Sequence, residues 1–248
     1  MKVKTILVSQ PEPKSDGSPY HELARKQKVN VDFRPFIHVE GVDGADVRQQ
    51  KVSITEHSAV ILTSRNAVDH YFRVCEEMRF EVPTAMKYFC MSEAIAFYLQ
   101  KYITYRKRKI YFGKQRFADL IDTIKKHKNE TFLLPSSDLL KPVIPQLLDD
   151  NKINYTRAIL YKTVCSDLSD LEDVLYDILV FFSPSGIKSL FQNFPDFVQN
   201  DTRIAAFGQT TVKAVAEAGL KVNIEAPSVK APSMSMALEQ YIKSANKK

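Results

Sequence analysis

The sequence is poor in glycine, has only three cysteines and contains no tryptophan. Its seven glycines form no Gly-x-Gly-x-x-Gly or Walker pattern, which argues against a glycine-rich phosphate loop. Cys75, Cys90 and Cys165 are odd in number and show no two-residue spacing, so they predict neither a disulfide framework nor a zinc site. The five histidines also lack metal-ligand spacing. The sequence therefore indicates no metal site and argues against classical nucleotide chemistry.

Long apolar runs are missing as well. The longest notable run, residues 178–182, is much shorter than the ~18 residues that span a membrane. The apolar stretch that follows Met1 is too short for a signal peptide. We therefore expect a cytoplasmic protein without membrane contact. With 44% apolar residues in a chain of 248, there is material for one large core or two modest ones.

The charge balance favours an anionic partner, because 35 basic residues face 29 acidic ones and the net charge is +6. One dense basic run, Arg106 to Lys109, lies between Tyr102 and Tyr111. Basic residues interleaved with aromatic ones suit a nucleic-acid surface. However, this run stands between a helical pattern and a predicted strand, so we favour a solvated connector. No nucleic-acid partner is predicted, and nucleic-acid binding stays an alternative.

Short apolar segments alternate with amphipathic ones along the chain, which is typical of parallel α/β units. Strands are predicted at residues 5–9, 58–63, 88–91, 109–112, 132–134, 178–182 and 204–207. Ser18 and Pro19 open the first helix, Gly219 ends a later one, and Pro232 and Ser233 open the last.

An internal repeat refines this fold class. Residues 59–68 resemble residues 178–187, and residues 87–96 resemble residues 203–212, at nearly the same offset. The sequence thus predicts two similar parallel-sheet α/β domains. Two extended stretches, residues 30–40 and 155–165, could pair as a two-stranded β-ribbon linker, which makes the second domain an insertion into the first. The predicted bounds are 1–33 with 168–248 for the first domain, 42–153 for the inserted domain, and 34–41 with 154–167 for the linker ribbon.

Hydroxyl side chains and one glycine follow the predicted strands where helices begin. In open α/β sheets ligands bind at the carboxyl ends of strands, where free N–H groups and the helix dipole attract carboxylates or phosphates. The candidates are Thr63, Ser64, Ser183, Ser185, Gly208, Thr210 and Thr211. Each hydroxyl could instead be only a helix N-cap, whereas Gly208 would let a ligand approach the backbone.

Tyr161 is a different kind of candidate, because it lies on a predicted ribbon strand where the chain passes between domains. Its hydroxyl could reach a ligand, or its ring could be a structural aromatic. Paired carboxylates such as Asp149 and Asp150 fit an exposed helix face, and Ser183 and Ser185 lack the Gly-x-Ser-x-Gly elbow of acyl transfer.

Four segments together resemble the uroporphyrinogen-III synthase family: Val60–Val68, the Leu-Tyr-Lys-Thr of 160–163, Val180–Ile187, and Ile204–Thr211. The likeness covers nearly the whole chain in the family's order. The chain departs from the family pattern at three places. Ser9-Gln10-Pro11 stands where the family commonly has Thr-Arg-Pro, Ser92 begins the turn that is Gly-x-x-Thr in the family, and Gln209 replaces a frequent proline.

The resemblance implies a cofactor-independent lyase that closes hydroxymethylbilane, a linear tetrapyrrole with eight carboxylates. It loses water and inverts ring D through a spiro intermediate. The resemblance also implies that Tyr161 helps the hydroxyl group to leave, that Arg203 occupies a basic substrate-binding position, and that Thr210 and Thr211 assist binding. A monomer is expected, and a transient contact with the preceding pathway enzyme is compatible with the resemblance. The alternative is a non-catalytic bilobed protein that binds an anionic ligand.

Overall fold

The computed structural model describes residues 2–171 and 175–247. Within this part of the chain there are eleven strands and nine α-helices. In chain order they are β1 (Thr5–Val8), α1 (Pro19–Gln27), β2 (Asn30–Phe33), β3 (Ile37–Gly41), α2 (Gly44–Gln49), β4 (Ala59–Leu62), α3 (Arg65–Glu77), β5 (Lys87–Cys90), α4 (Glu93–Tyr98), β6 (Ile110–Phe112), α5 (Ala118–Lys125), β7 (Phe132–Ser137), α6 (Val143–Asp150), β8 (Tyr155–Cys165), β9 (Ile178–Phe181), α7 (Pro184–Asn193), β10 (Arg203–Phe207), α8 (Gln209–Glu217), β11 (Val222–Ala226) and α9 (Met234–Asn246).

The strands form two sheets. The five-stranded sheet has the order β11-β10-β9-β1-β2, and its strands pair in parallel. The six-stranded sheet has the order β3-β8-β7-β4-β5-β6, in which β8, β7, β4, β5 and β6 pair in parallel with their neighbours in that run. The predicted α/β class with parallel sheets is therefore confirmed.

The contacts divide the chain into two compact units. The first unit contains Met1–His38 and Val164–Lys248, and the second contains Val39–Thr163. Each unit holds a sheet built on parallel strands with helices packed on both of its faces, so central strands such as β4 and β9 are buried along their whole length. In the part of the chain that is described, no helix is long and apolar enough to cross a membrane.

Alternating side chains along each strand supply two cores per sheet. In the first unit, Ile6 and Val8 pack with helices α1 and α9, whereas Leu7 between them packs on the other face. In the second unit, Val60 and Leu62 pack under α3, and Ile61 faces the core beneath α5 and α6. Apolar packing on both faces of each sheet fixes the positions of the carboxyl ends of its strands.

The extended stretches differ from the simple ribbon that the sequence suggests. Asn30–Phe33 is β2, which pairs with β1 and so belongs to the five-stranded sheet. β3 neighbours β8, and β8 also pairs with β7 over most of its length. Near these strands, the Val42 N–H donates to the Leu160 carbonyl and the Ser166 N–H donates to the Phe36 carbonyl, both at 2.9 Å.

One strand, β11, and the end of another, β7, were not predictable from apolar runs. β11 alternates buried and more exposed residues because it is an edge strand of its sheet, so it lacks an apolar run. β7 continues to Ser137 through Pro135, although proline usually interrupts a sheet. Its pairing with β4 ends at Leu133, so Pro135 lies beyond the hydrogen bonds on that side.

Candidate functional site

Two of the predicted site residues meet at the carboxyl end of β4. Ser64 follows this strand and caps α3, since its Oγ accepts a hydrogen bond from the Ala67 N–H at 3.0 Å. The same Oγ lies 3.1 Å from the hydroxyl of Tyr161. Thr63, just before Ser64, is half-buried at the same strand end. The structure thus joins a predicted strand-end hydroxyl to the predicted tyrosine, 97 residues apart.

Tyr161 is held firmly by its surroundings. It is only 7% exposed, and its ring stacks on the imidazole of His70 with the ring centroids 5.0 Å apart. Burial raises the pKa of the Tyr161 hydroxyl above its usual value, although its hydrogen bond with Ser64 and the nearby backbone of Ser137 act in the opposite direction. The phenol therefore stays protonated, and it can act as a hydrogen-bond donor at neutral pH.

The two hydroxyls form a pair in which either oxygen can be the donor. When Tyr161 donates, Ser64 accepts from both Tyr161 and the Ala67 N–H, which uses both lone pairs of its oxygen. In that arrangement the proton of Ser64 is directed away from both partners. We call the pair Tyr161 O–H and Ser64 O–H the hydroxyl chain.

Sequence reasoning missed two members of this site, His70 and Ser137. Burial lowers the pKa of His70, and the neighbouring Arg73 charge lowers it further, so the ring that backs Tyr161 is neutral. The Arg73 Nε donates to His70 Nδ1 at 3.1 Å, which fixes that ring. Ser136 and Ser137 end β7, and the same pattern of hydroxyls after an apolar strand that singled out Ser64 could have found them.

In the first unit, Ser183 follows β9 and caps α7, because its Oγ accepts from the Gly186 N–H at 3.3 Å. Ser185 is half-buried in the first turn of α7. A Cβ at Gly186 would stand 3.2 Å from a ring carbon of Phe181, a tight contact, so glycine eases the close approach of the helix to the strand. Ser64 and Ser183 therefore both act as helix N-caps, which is the alternative role that the sequence allowed for each hydroxyl.

Gly208 follows β10 and begins α8 with no capping side chain. It adopts φ +85° and ψ 148°, a conformation that strongly favours glycine, and apart from its chain neighbours no atom of the described residues lies within 4 Å of the position of a Cβ. Its own N–H donates to the Ala226 carbonyl at 2.6 Å. The N–H groups of Thr211 and Val212 both donate to the Gly208 carbonyl. Among the described residues, the N–H groups of Gln209 and Thr210 have no acceptor and no side-chain cap, so they are available to an anion.

The two threonines of this turn differ in a way that corrects the prediction for Thr211. Thr210 is exposed, but Thr211 is 0% exposed and its Oγ1 has no hydrogen-bond partner among the residues that the structure describes. Thr211 lies four residues before Val215, so both face the core from one side of α8. A side chain that is fully buried cannot touch a ligand directly, and the expected direct contact by Thr211 is not supported.

Arg203 also departs from the prediction. It starts β10, whereas Gly208 follows the end of that strand, so at ~3.3 Å per residue the two lie about 16 Å apart. Its side chain is 13% exposed, and its Nη1 is 3.9 Å from Asp177 Oδ1. The family-based expectation of a substrate-binding role therefore conflicts with the position of Arg203 at the amino end of the sheet. Its role there is an ion pair.

The fold and the strand-end hydroxyls define an α/β protein with parallel sheets and donor groups at the strands' carboxyl ends. Residues 18–235 match the family model described as uroporphyrinogen-III synthase HemD. The chain belongs to the uroporphyrinogen-III synthase family, cyclising lyases of tetrapyrrole biosynthesis.

Individual relatives agree. A curated uroporphyrinogen-III synthase from Chlorobaculum parvum is 24% identical, covering 97% of this chain and all of that protein. The crystal structure of the Helicobacter pylori enzyme has a TM-score of 0.63 at 17% identity over 98% of this chain and all of that one. A mutant Thermus thermophilus enzyme has a TM-score of 0.55 at 13% identity over 99% of this chain and all of that one. At these identities the two structures show a shared fold.

Proposed function

We propose that this chain closes hydroxymethylbilane with inversion of ring D, and that the hydroxyl chain ending at Ser64 assists the loss of water. The family match gives the reaction class. The observation that carries the proposed mechanism is the geometry of Ser64, whose oxygen accepts from the Ala67 N–H and lies 3.1 Å from the Tyr161 hydroxyl. We assign the Tyr161 proton to this contact, which directs the Ser64 proton outward. This donor stands at the strand end where α/β proteins bind ligands.

The proposed reaction begins with cleavage of the bond between the hydroxymethyl carbon and its oxygen. The Ser64 hydroxyl donates a hydrogen bond to the departing oxygen, and Tyr161 strengthens that donor because hydrogen bonds in a chain polarise one another. The azafulvene that results is attacked by the substituted carbon of ring D, which gives the spiro intermediate. That intermediate reopens and recloses with ring D inverted. The proton released when the pyrrole becomes aromatic again balances the one that leaves in water.

Orientation of a flexible substrate is the larger part of the proposed catalysis, because closure without inversion competes. We assign the substrate carboxylates to the open N–H groups of Gln209 and Thr210, beside Gly208, and to the start of α7 near Ser183 and Ser185. Thr63 would assist beside Ser64. Arg203 and Thr211 are left out of direct contact, since one lies at the far end of its strand and the other is buried.

We further propose that the two units are the look-alike domains indicated by the repeat, with the second inserted into the first and β3 and β8 as the linking strands. The division of the chain at residues 38/39 and 163/164 supports this proposal. A monomeric state, a cytoplasmic location and a transient contact with the preceding pathway enzyme stay predictions from the sequence and the resemblance.

An isomer assay tests the proposed function. Hydroxymethylbilane is generated in situ, the chain is added, and the cyclic products are oxidised and separated as type I and type III isomers. The proposal predicts type III product. Only type I product above background, together with tetrapyrrole binding, would contradict it and would favour the non-catalytic binding protein.

A further inference from the structure

A tight turn, Ser228–Ala231, follows β11 in the first unit. The Ser228 N–H donates to the Ala231 carbonyl at 2.9 Å, and the Ala231 N–H donates back to the Ser228 carbonyl and to its Oγ, both at 3.1 Å. The Gln240 amide of α9 donates to the Lys230 carbonyl at 2.8 Å. The turn is therefore braced from within and from α9, and its two central residues, Val229 and Lys230, are held at the tip.

The tip carries residues that turn formation does not explain. Neither Val229 nor Lys230 has a positive φ, so the turn requires no glycine at its tip, and it does not require a valine either. Val229 is fully exposed at 104%, so its side chain buries no apolar area and adds nothing to the stability of the core. Ala231, by contrast, is only 3% exposed. The base of the turn, at Ala231, is buried, whereas the apolar side chain of Val229 at its tip lies in solvent. This combination suggests a ligand contact.

The position of the turn supplies the second observation. Ala226, which ends β11 just before the turn, accepts the hydrogen bond from the Gly208 N–H. Ala226 and Ala231 share one apolar cluster with the half-buried rings of Phe182 and Phe207, whose centroids are 5.9 Å apart at the ends of β9 and β10. The turn thus stands on the carboxyl edge of the sheet, where the proposed carboxylate donors also lie.

Charge supplies the third observation. Lys230 is exposed, and no ion pair joins it to a carboxylate within residues 2–171 and 175–247. Glu225, the acidic residue closest to it in sequence, accepts a hydrogen bond from the Gln209 amide at 2.5 Å. Met236, 43% exposed in the first turn of α9, adds a second exposed apolar side chain after β11. The edge offers an apolar contact next to an unpaired cation.

We propose that the Ser228–Ala231 turn is a subsite for one carboxylated pyrrole ring of the substrate. Val229 packs against the face of the ring, and Lys230 pairs with one of the ring's acidic side chains. A pyrrole with acidic substituents combines a flat apolar face with anionic arms, which matches this adjacent pair. The inference rests on the proposed function and extends it to two residues outside the family motifs.

Steady-state kinetics with hydroxymethylbilane test the subsite. Val229→Ser and Lys230→Gln should each raise KM about three- to tenfold and leave kcat within about twofold, because an exposed pair contributes ~1 kcal/mol and 1.4 kcal/mol is a factor of ten. Val198→Ser and Lys221→Gln are matched controls, since both residues are exposed in the same unit but lie before β10 and β11, at the opposite strand ends. Their KM should equal that of the wild type.

Three results would overturn the subsite. One is an unchanged KM in both turn variants of an active enzyme, and another is an equal rise in the controls. The third is a fall in kcat with no change in KM, which would place the turn in the chemical step. A wild-type chain that yields no type III product would instead refute the proposed function, and the subsite with it.

Discussion

Replacement of Tyr161 by phenylalanine removes one oxygen from the hydroxyl chain and leaves the ring in place. The ring remains stacked on His70, and Ser64 keeps its hydrogen bond from the Ala67 N–H, so α3 stays capped. What changes is the number of donors to Ser64. Its hydroxyl proton is no longer compelled to point outward, because one of its lone pairs is now free to accept a hydrogen bond.

The expected loss in rate follows from these contacts. A positioned proton donor contributes roughly 10²- to 10⁴-fold to catalysis. Ser64 remains as the terminal donor, and substrate orientation is untouched, so we expect a loss at or below the lower end of that range. The kcat for type III formation should fall about 10- to 100-fold, which corresponds to about 1.4–2.7 kcal/mol. Stability should change by only about 0.5–1.5 kcal/mol, the net value of one hydrogen bond.

The assay compares kcat of Tyr161→Phe with that of Tyr98→Phe. Tyr98 is a matched control, because its hydroxyl donates to Asp69 at 2.8–2.9 Å in the same unit and, among the described residues, forms no hydrogen bond with Ser64 or Tyr161. The Tyr98 variant should keep the wild-type kcat. A double variant with Ser64→Ala should be no slower than Ser64→Ala alone, since the two residues act in series. An unchanged kcat in Tyr161→Phe, or additive losses in the double variant, would refute the chain.

Two further predictions concern stability. Thr211→Val should raise the free energy of unfolding by about 1 kcal/mol and Tm by about 2–4 °C, because it replaces a buried hydroxyl without a partner by a methyl group of similar volume; a lower Tm in thermal melts would contradict this. Burial alone would raise the pKa of Asp177, but the N–H groups of Lys4 and Thr5 hold it below its usual value. Because the pKa of Asp177 is lowered in the folded state, its ionised form stabilises the fold at pH values above its ordinary pKa of about 3.9. This stabilisation is lost as the pH falls through the folded-state pKa. Urea midpoints should therefore fall less between about pH 7 and about pH 3 in Asp177→Asn than in the wild type, and equal falls would contradict the assignment.

Local patterns were sufficient to predict the elements that surround the site. The buried runs at β4 and β9 are fully apolar, and the serines that follow them cap the next helices, so strand, turn and helix could be read from neighbouring residues. Gly208 was also predictable as a special backbone position, since a glycine between an apolar strand and a helix is typical of such a turn. Its positive φ agrees with that reasoning.

Contacts between distant residues could not be predicted in this way. The meeting of Ser64 and Tyr161 depends on the register of β8 against β7, where Tyr161 pairs with Ser137 after an irregularity. No local pattern specifies that shift. The position of Arg203 was open to a better interpretation, because the first residue of a strand lies at the sheet's amino end. The burial of Thr211 could likewise have been inferred from its four-residue spacing to Val215.

The dependence of the isomer ratio on the amount of protein measures the central claim most directly, because uncatalysed closure gives the type I ring. Hydroxymethylbilane is supplied at a constant rate, and the wild-type chain is titrated from none to an excess. The account predicts that the type III fraction rises from near zero towards completion as the chain outpaces spontaneous closure. A type III fraction that stays at the background level at every concentration would contradict it.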